Sequence, residues 1–233
     1  MKLKSGDSTL IAVTRGNSDT PRSPHTAATS TTADEVLYDS DGHLVIRDTQ
    51  PGTYTTRING GGTSKATISR VPTSFSPTDW TLNATSWQAG SGPNETNKVA
   101  LAPIGLKTDA EGKLPDWQHI TGLENKSGTA TYTTQIDVGP SWTGGTGAYL
   151  DLNNAQGLAA VTVNGRALPN LNQIELNRID LQRYLRPGKN TVQIRLSTLI
   201  GNAAYDGRQP YGLIGPITIR PYGQTDLTAR PAK

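Results

Sequence analysis

Glycine and proline interrupt this chain too often for it to form long helices. Of its 233 residues, 25 are glycine and 15 are proline, and one of these or an asparagine or threonine breaks almost every window of ten. No segment keeps apolar residues at the i, i+3, i+4, i+7 spacing of an amphipathic helix. The sequence therefore predicts an all-β chain.

Short runs rich in β-branched and aromatic residues recur between the turn formers, as expected of strands. Strands are predicted over residues 9–13, 44–47, 53–58, 66–71, 129–138, 148–152, 159–163, 191–196 and 217–220. The dipeptides Asp41-Gly42 and Asn164-Gly165 predict type I′ hairpin turns, in which both central residues have positive φ. Pro51-Gly52 and Pro187-Gly188 predict type II corners. Repeated short strands of this kind favour a β-sandwich.

Composition divides the chain into three parts. Residues 72–79 contain two prolines and several small polar residues, so we place a boundary there. We predict a small β-unit over 1–78, a larger β-sandwich over 79–222 and a loose tail over 223–233. Residues 20–33 predict a flexible surface loop, and residues 90–113 a second long polar stretch.

Charge and cysteine content exclude several classes of protein. The chain has no cysteine, which excludes disulfides, a thiol nucleophile and thiolate metal sites. A net charge of +3 spread over the whole chain argues against nucleic acid as a partner. No apolar run approaches the roughly 20 residues needed to cross a bilayer, so no membrane span is predicted. Residues 1–20 also lack the apolar core of a signal peptide.

No group of residues predicts catalysis. The five glutamates lie in loops or beside turns, and none is marked as half of a glycosidase carboxylate pair; they are Glu35, Glu95, Glu111, Glu124 and Glu175. The three histidines are far apart and show no ligand spacing. No nucleophile elbow or phosphate-binding loop is present. We therefore assign no catalytic residue, no metal ligand and no cofactor; a structural Ca²⁺ stays open, although no D-x-D-x-D-G loop occurs.

Two loops combine aromatic and polar residues in the way that sugar binding requires. The apolar face of a sugar ring stacks on Trp or Tyr, while amide, carboxylate and guanidinium groups bind its hydroxyls. Trp142 lies in a glycine-rich loop over 139–147, and a second such loop covers 201–211. The predicted ligand-binding residues are Trp142, Asn202, Tyr205, Asp206, Arg208 and Tyr211.

Several segments after residue 79 resemble a known β-domain, in the expected order. They are Trp117-Gln118-His119-Ile120, Ser127 to Tyr132, Tyr149-Leu150-Asp151-Leu152, Val161 to Arg166, Ile179-Asp180-Leu181, Tyr184 to Thr191, Leu199-Ile200-Gly201 and Tyr211 to Pro216. Together they resemble the galactose-binding-like jelly-roll sandwich of glycoside hydrolase family 2 relatives. Within that group they are most similar to the C-terminal region of family 106 α-L-rhamnosidase-like proteins. The chain departs from that pattern at residues 171–175, which lack the expected aromatic, and at Asn202, which stands where the pattern has aspartate.

The resemblance implies a jelly-roll β-sandwich preceded by a smaller β-unit, in a secreted parent protein. The family's catalytic acids lie in a barrel that this sequence does not contain. We therefore expect a non-catalytic carbohydrate-binding or accessory region of a glycoside hydrolase. Its expected partners are a rhamnose- or uronate-containing oligo- or polysaccharide and the catalytic domain of the parent chain. The alternatives are a purely structural domain that packs on that barrel, and a self-contained polysaccharide hydrolase or lyase.

Overall fold

The computed structural model describes residues 27–39, 41–59, 62–140, 142, 145–169, 171–173, 176–204 and 210–227, with no side-chain detail at 202 and 204. Seventeen strands lie in these ranges: β1 (Ala28–Thr31), β2 (Glu35–Tyr38), β3 (Leu44–Asp48), β4 (Gly52–Ile58), β5 (Thr63–Ile68), β6 (Asp79–Ala89), β7 (Thr96–Ala100), β8 (Ile104–Lys107), β9 (Ser127–Val138), β10 (Thr146–Asp151), β11 (Ala155–Gln156), β12 (Leu158–Val163), β13 (Arg166–Ala167), β14 (Ile179–Asp180), β15 (Gly188–Ser197), β16 (Gly212–Leu213) and β17 (Thr218–Asp226). Helix is limited to a 3-10 turn at Trp117–His119 and one α-helical turn, α1, at Gly201–Ala204. None of the described helices is long and apolar enough to span a membrane.

Two antiparallel sheets form the sandwich, which confirms the predicted fold class. The larger sheet has seven strands in the order β13-β12-β15-β9-β6-β7, with β8 also pairing with β6. The smaller has five, in the order β14-β10-β17-β3-β2. Buried and less buried residues alternate along β9 and β12, because successive side chains of a strand point to opposite faces.

The main core lies between these two sheets. The seven-stranded sheet contributes Leu82, Tyr132 and Ile194, and the five-stranded sheet contributes Leu150 and Ile219. Each of these side chains is fully buried. Burial of this apolar layer, at about 25 cal/mol per Å², is the main favourable contribution to the stability of the sandwich.

A second, smaller core joins the N-terminal strands to the sandwich. The three-stranded sheet β1-β4-β5 packs Ala66 and Ile68 against Leu44 and Ile46 of β3. Since β3 also pairs with β17 in the five-stranded sheet, the predicted boundary at residue 78 does not separate the sheets. The predicted loose tail is wrong at its start, because β17 continues to Asp226 and Leu227 is buried in this second core.

Asn164 and Gly165 form the type I′ turn that the sequence predicts, with φ values of 51° and 78°. The side chain of Asn190 supports this turn from inside, since its Oδ1 accepts hydrogen bonds from the Asn164 side chain and the Arg186 backbone. Its amide donates to the carbonyls of Arg186 and Gly188. Gly188 itself has φ of 83°, as a type II corner at Pro187-Gly188 requires.

Two of the turn assignments are wrong. At Asp41-Gly42 only the glycine has positive φ, and Asp39 N–H donates to the His43 carbonyl. The connection is therefore a longer hairpin loop with a left-handed glycine, not a type I′ turn. At Pro51-Gly52 the glycine does not have positive φ, because it already belongs to strand β4.

Polar composition conceals several edge strands. Residues 28–31 form β1, inside the segment predicted as a flexible loop, and Ala33 beside it is buried. Residues 90–113 contain β7 and β8, which cover successive halves of β6. Every residue of β7 is exposed, so its pairing with β6 leaves no apolar alternation in the sequence. The strand predicted over 9–13 lies outside the described residues.

Candidate functional site

The outer face of the five-stranded sheet, opposite the main core, carries two tyrosines stacked with arginines. The rings of Tyr149 and Tyr222 have centroids 4.5 Å apart. The Arg47 guanidinium carbon lies 4.6 Å from the centroid of Tyr222, and those of Arg178 and Arg220 each lie 5.2 Å from that of Tyr149. Both tyrosines are buried, which strengthens cation–π attraction by removing competing water.

Two aspartates fix these arginines. Asp180 accepts hydrogen bonds from Arg47 and from the Tyr222 hydroxyl, each at 2.8 Å. Asp151 accepts two from Arg220, at 2.8 and 3.2 Å. Because charged donors and acceptors make the strongest hydrogen bonds, these pairs hold the side chains in single positions. We call the set the polar layer: Arg47, Tyr149, Asp151, Asp180, Arg220 and Tyr222.

A contact between opposite edges of the sheet closes the polar layer. Glu35 lies on β2 at one edge of the sheet, and Arg178 directly precedes β14 at the other edge. Arg178 nevertheless donates a hydrogen bond to Glu35 Oε1, and the Tyr149 hydroxyl donates one to Glu35 Oε2. Four strand spacings in a flat sheet measure about 19 Å, too far for these side chains to meet. The five-stranded sheet is therefore curled, with the polar layer on its concave side.

Burial changes the acidity of the tyrosines. It raises the pKa of Tyr149 well above the usual value, and the hydrogen bond to Glu35 raises it further, while Arg47 opposes both. Burial also raises the pKa of Tyr222, with the negative charge of Asp180 adding to the effect. Both hydroxyls therefore stay protonated at neutral pH and act as hydrogen-bond donors, not as bases.

Arg178 adopts an unusual backbone conformation for a residue with a Cβ. Its φ is 66°, in the left-handed region that costs most residues free energy. The Arg178 N–H donates to Asp151 Oδ1 at 2.6 Å, which holds the backbone in this conformation. Its Nε is buried without a hydrogen-bond partner among the described residues. Strained and unsatisfied groups of this kind concentrate at binding sites, and Arg178 lines a cavity.

A cavity of about 500 Å³ lies beside Arg178, which is within the size range of small-ligand sites. We call it the rim cavity. Its apolar lining is Leu168, Pro169, Leu171, Ile179 and Tyr184. Its polar lining is Glu35, Asn172, Asn177, Arg178, Asp180 and Arg183. Aromatic and aliphatic side chains thus share this cavity with amide, carboxylate and guanidinium groups.

The chain builds this cavity where it crosses from one sheet to the other. β13 has only two residues at the edge of the seven-stranded sheet, and the chain then runs to β14 at the edge of the five-stranded sheet. The Gln173 side chain bonds both the N–H and the carbonyl of Ala159, as a neighbouring strand would. It thereby anchors the crossing segment to the open edge of β12.

Trp142 and Tyr211, the two predicted site residues whose side chains the structure describes, do not share a cleft. Trp142 lies just after Val138, the last residue of β9. The helical turn α1 and Tyr211 lie near the first residues of β9, because Ser197, just before α1, pairs with Thr129. Nine residues of strand separate Thr129 from Val138, which is about 30 Å.

Trp142 and Tyr211, the two predicted aromatic site residues that the structure describes, are not freely exposed. Trp142 is half-buried against the main core. Tyr211 is only 8% exposed and belongs to that core, so its ring offers no open face for stacking. The Asn202 side chain and residues Tyr205, Asp206 and Arg208 lie outside the described residues.

Sequence reasoning missed the rim cavity because its parts are not adjacent in sequence. Glu35 and Arg178 are 143 residues apart. The one local signal was the basic stretch over 178–189, which supplies Arg178 and Arg183. The altered segment over 171–175 supplies Leu171 and Asn172, so it lines the cavity without the aromatic residue expected at that point.

One exposed group of donor atoms has the geometry of a cation site. Oxygens of Asp39 and Asp41 and a ring nitrogen of His43 lie within 4.8 Å of one another on the β2–β3 hairpin. Asp39 Oδ1 already accepts the N–H groups of Asp41 and His43, and the His43 N–H is the main cause of a lowered Asp39 pKa. These bonds close the hairpin loop and account for the arrangement.

No protein family model matches the sequence, and no curated protein matches it. Among solved structures, the chain is similar to a rhamnosidase from Novosphingobium sp. PP1Y, with 16% sequence identity and a TM-score of 0.46. The similarity covers 83% of this chain and 24% of the rhamnosidase chain. The chain thus spans about a quarter of that protein's length.

Proposed function

We propose that this chain is a non-catalytic, carbohydrate-binding β-sandwich region of a secreted glycoside hydrolase, and that oligosaccharide binds in the rim cavity. One observation carries the proposal: Tyr184 and Leu171 line the same cavity as Asn172, Asn177 and Arg183. Sugar recognition needs this combination, because a sugar ring has an apolar face and a polar edge. The motif resemblance of residues 79–222 supports the same assignment.

The state of the two carboxylates on the cavity supports binding without catalysis. Glycoside hydrolysis needs one carboxyl group to protonate the leaving oxygen and a second to act as nucleophile or base. Both Glu35 oxygens are bonded, one to Tyr149 and one to Arg178. Both Asp180 oxygens are bonded as well. These contacts give both carboxyl groups a structural role, since they hold tyrosine and arginine side chains in place.

Titration calorimetry with rhamnose-containing and plant-type oligosaccharides tests the proposal. The Tyr184→Leu variant keeps apolar volume but loses the aromatic face, and we expect it to weaken binding about 3- to 10-fold. Trp87→Leu is the matched control, since Trp87 is also a half-buried aromatic but lies on strand β6, away from the cavity. Absence of binding at millimolar sugar by the folded protein would refute the function. If Trp87→Leu weakened sugar binding and Tyr184→Leu did not, the sugar site would lie on the seven-stranded sheet.

The alternative structural role is favoured by one observation. Leu158, Leu199 and Ile200 are 61%, 65% and 63% exposed. They lie together at one end of the sandwich, because Leu158 pairs with Ser197, just before the other two. Exposed apolar side chains that cluster suit packing against another domain. A Leu199→Asp, Ile200→Asp double variant should then raise the solubility of the isolated chain and leave sugar binding unchanged.

A further inference from the structure

The rim cavity is lined by two carboxylates and two guanidinium groups, but one of these guanidinium groups, that of Arg183, has no carboxylate partner among the described residues. Glu35 pairs with Arg178, and Asp180 pairs with Arg47 at 2.8 Å. Arg183 also lines the cavity, is exposed, and makes no ion pair with any described residue. The described lining residues therefore leave one guanidinium group available to a ligand.

A second guanidinium group, that of Arg166, lies over the ring of Tyr184, which lines the cavity. Arg166 donates through Nη1 to the backbone carbonyl of Arg183 at 3.4 Å. Its guanidinium carbon lies 5.4 Å from the centroid of the Tyr184 ring. Arg166 is exposed and, within the described ranges, has no carboxylate partner. Positive charge thus lies directly beside the aromatic wall on which a sugar would stack.

The geometry points to an acidic sugar as the ligand of the rim cavity, with the carboxylate of a uronate residue bound by Arg183. This inference rests on the sugar-binding function proposed above. A guanidinium group matches a carboxylate with two parallel hydrogen bonds, which a lysine cannot provide. Tyr184 then contacts the ring of the same residue, while Arg166 raises the local positive potential.

The test compares oligogalacturonides with the same oligomers after reduction of their carboxyl groups to alcohols. Calorimetry at 50 mM salt should show about tenfold tighter binding of the acidic oligomer. The preference should shrink at 500 mM salt, since the exposed charges are then screened. Arg183→Ala should abolish the preference, and Arg183→Lys should keep only part of it. Arg195→Ala, which removes an exposed arginine from the outer face of the seven-stranded sheet, is the matched control and should change nothing.

Each outcome separates this inference from the function on which it rests. Equal affinity for the acidic and reduced oligomers, with Tyr184→Leu weakening both, would overturn the uronate assignment and leave sugar binding intact. Tighter binding of a sulfated oligomer than of the uronate would also overturn it. Failure of the folded protein to bind either oligomer, or any neutral sugar, would overturn both proposals.

Discussion

The Tyr132 hydroxyl joins two buried donors in the main core, and its removal provides a sharp test of the structure. It accepts hydrogen bonds from Trp117 Nε1 at 2.8 Å and from the Leu213 N–H at 3.2 Å. Tyr132, Trp117 and Leu213 are all fully buried. Tyr132→Phe deletes one oxygen atom and keeps the ring, so the packing of the core is preserved while both donors lose their acceptor.

The expected cost follows from the number of donors left unpaired. A buried donor without a partner costs about 1–3 kcal/mol, so two predict a loss of about 2–6 kcal/mol in the free energy of unfolding. Urea denaturation followed by tryptophan fluorescence measures this loss. With a slope of about 2–3 kcal/mol per M, the urea midpoint should fall by about 1–2 M at unchanged slope.

Tyr54→Phe is the matched control, because it deletes the same atom from an exposed hydrogen bond to the Gln50 carbonyl. Water replaces the lost donor there, so we expect a change of about 0.5 kcal/mol or less. If Tyr132→Phe also stayed within about 0.5 kcal/mol of the natural sequence, the two donors would not depend on this hydroxyl. The hydrogen-bonded arrangement at the core would then be wrong.

Three further predictions concern stability. Gly212→Ala should lower the free energy of unfolding, measured by thermal denaturation, by about 3 kcal/mol or more, because φ is 111° and the new Cβ would lie 2.6 Å from Trp117 Cδ1. The control Gly62→Ala should have almost no effect, because its Cβ would meet no neighbouring atom. Asn190→Ala should lower the free energy of unfolding, measured by urea denaturation, by about 2–4 kcal/mol, because it removes four hydrogen bonds made by a buried amide. The control Asn97→Ala, on the exposed strand β7, should leave the free energy of unfolding unchanged. Burial raises the pKa of Tyr132 to about 12, so the protonated hydroxyl contributes fully to the free energy of unfolding below pH 10. As the pH rises from 10 to 12, about 3 kcal/mol of that free energy is lost. Urea denaturation at pH 8, 10 and 11 should show this decrease, and Tyr132→Phe should make the decrease smaller.

The strands that the sequence predicted well are those that face the main core on one side. β9, β12 and β15 each alternate between buried and less buried residues, which is the periodicity that a sequence displays. β7 is paired only through its backbone and is exposed throughout, so nothing in its side chains reveals it. The Asn164-Gly165 turn was predictable because two positive φ values restrict the residue types strongly. One positive φ at Gly42 suits several loop types, and the prediction there failed.

The candidate site was less predictable because sheet curvature creates it. Glu35 reaches Arg178 only because the five-stranded sheet curls, and no local pattern encodes that curl. Composition pointed instead to the loop over 201–211. At its described C-terminal end, however, Tyr211 serves the core, where its carbonyl accepts the Trp117 N–H. An aromatic residue in a glycine-rich loop can therefore hold the loop against the core just as well as it can contact a ligand.

The same curvature makes the N-terminal strands part of the candidate site. β2 supplies Glu35, the only partner of Arg178 among the ion pairs of the described residues. β3 covers the C-terminal half of β17 and supplies Arg47, which holds Asp180 at the cavity. A chain cut at the proline-rich segment over 72–79 would keep the seven-stranded sheet, but Arg178 would lose Glu35, and Asp180 and Tyr222 would lose Arg47. Because Glu35 also lines the cavity, the rim cavity is built by both the N-terminal unit and the sandwich.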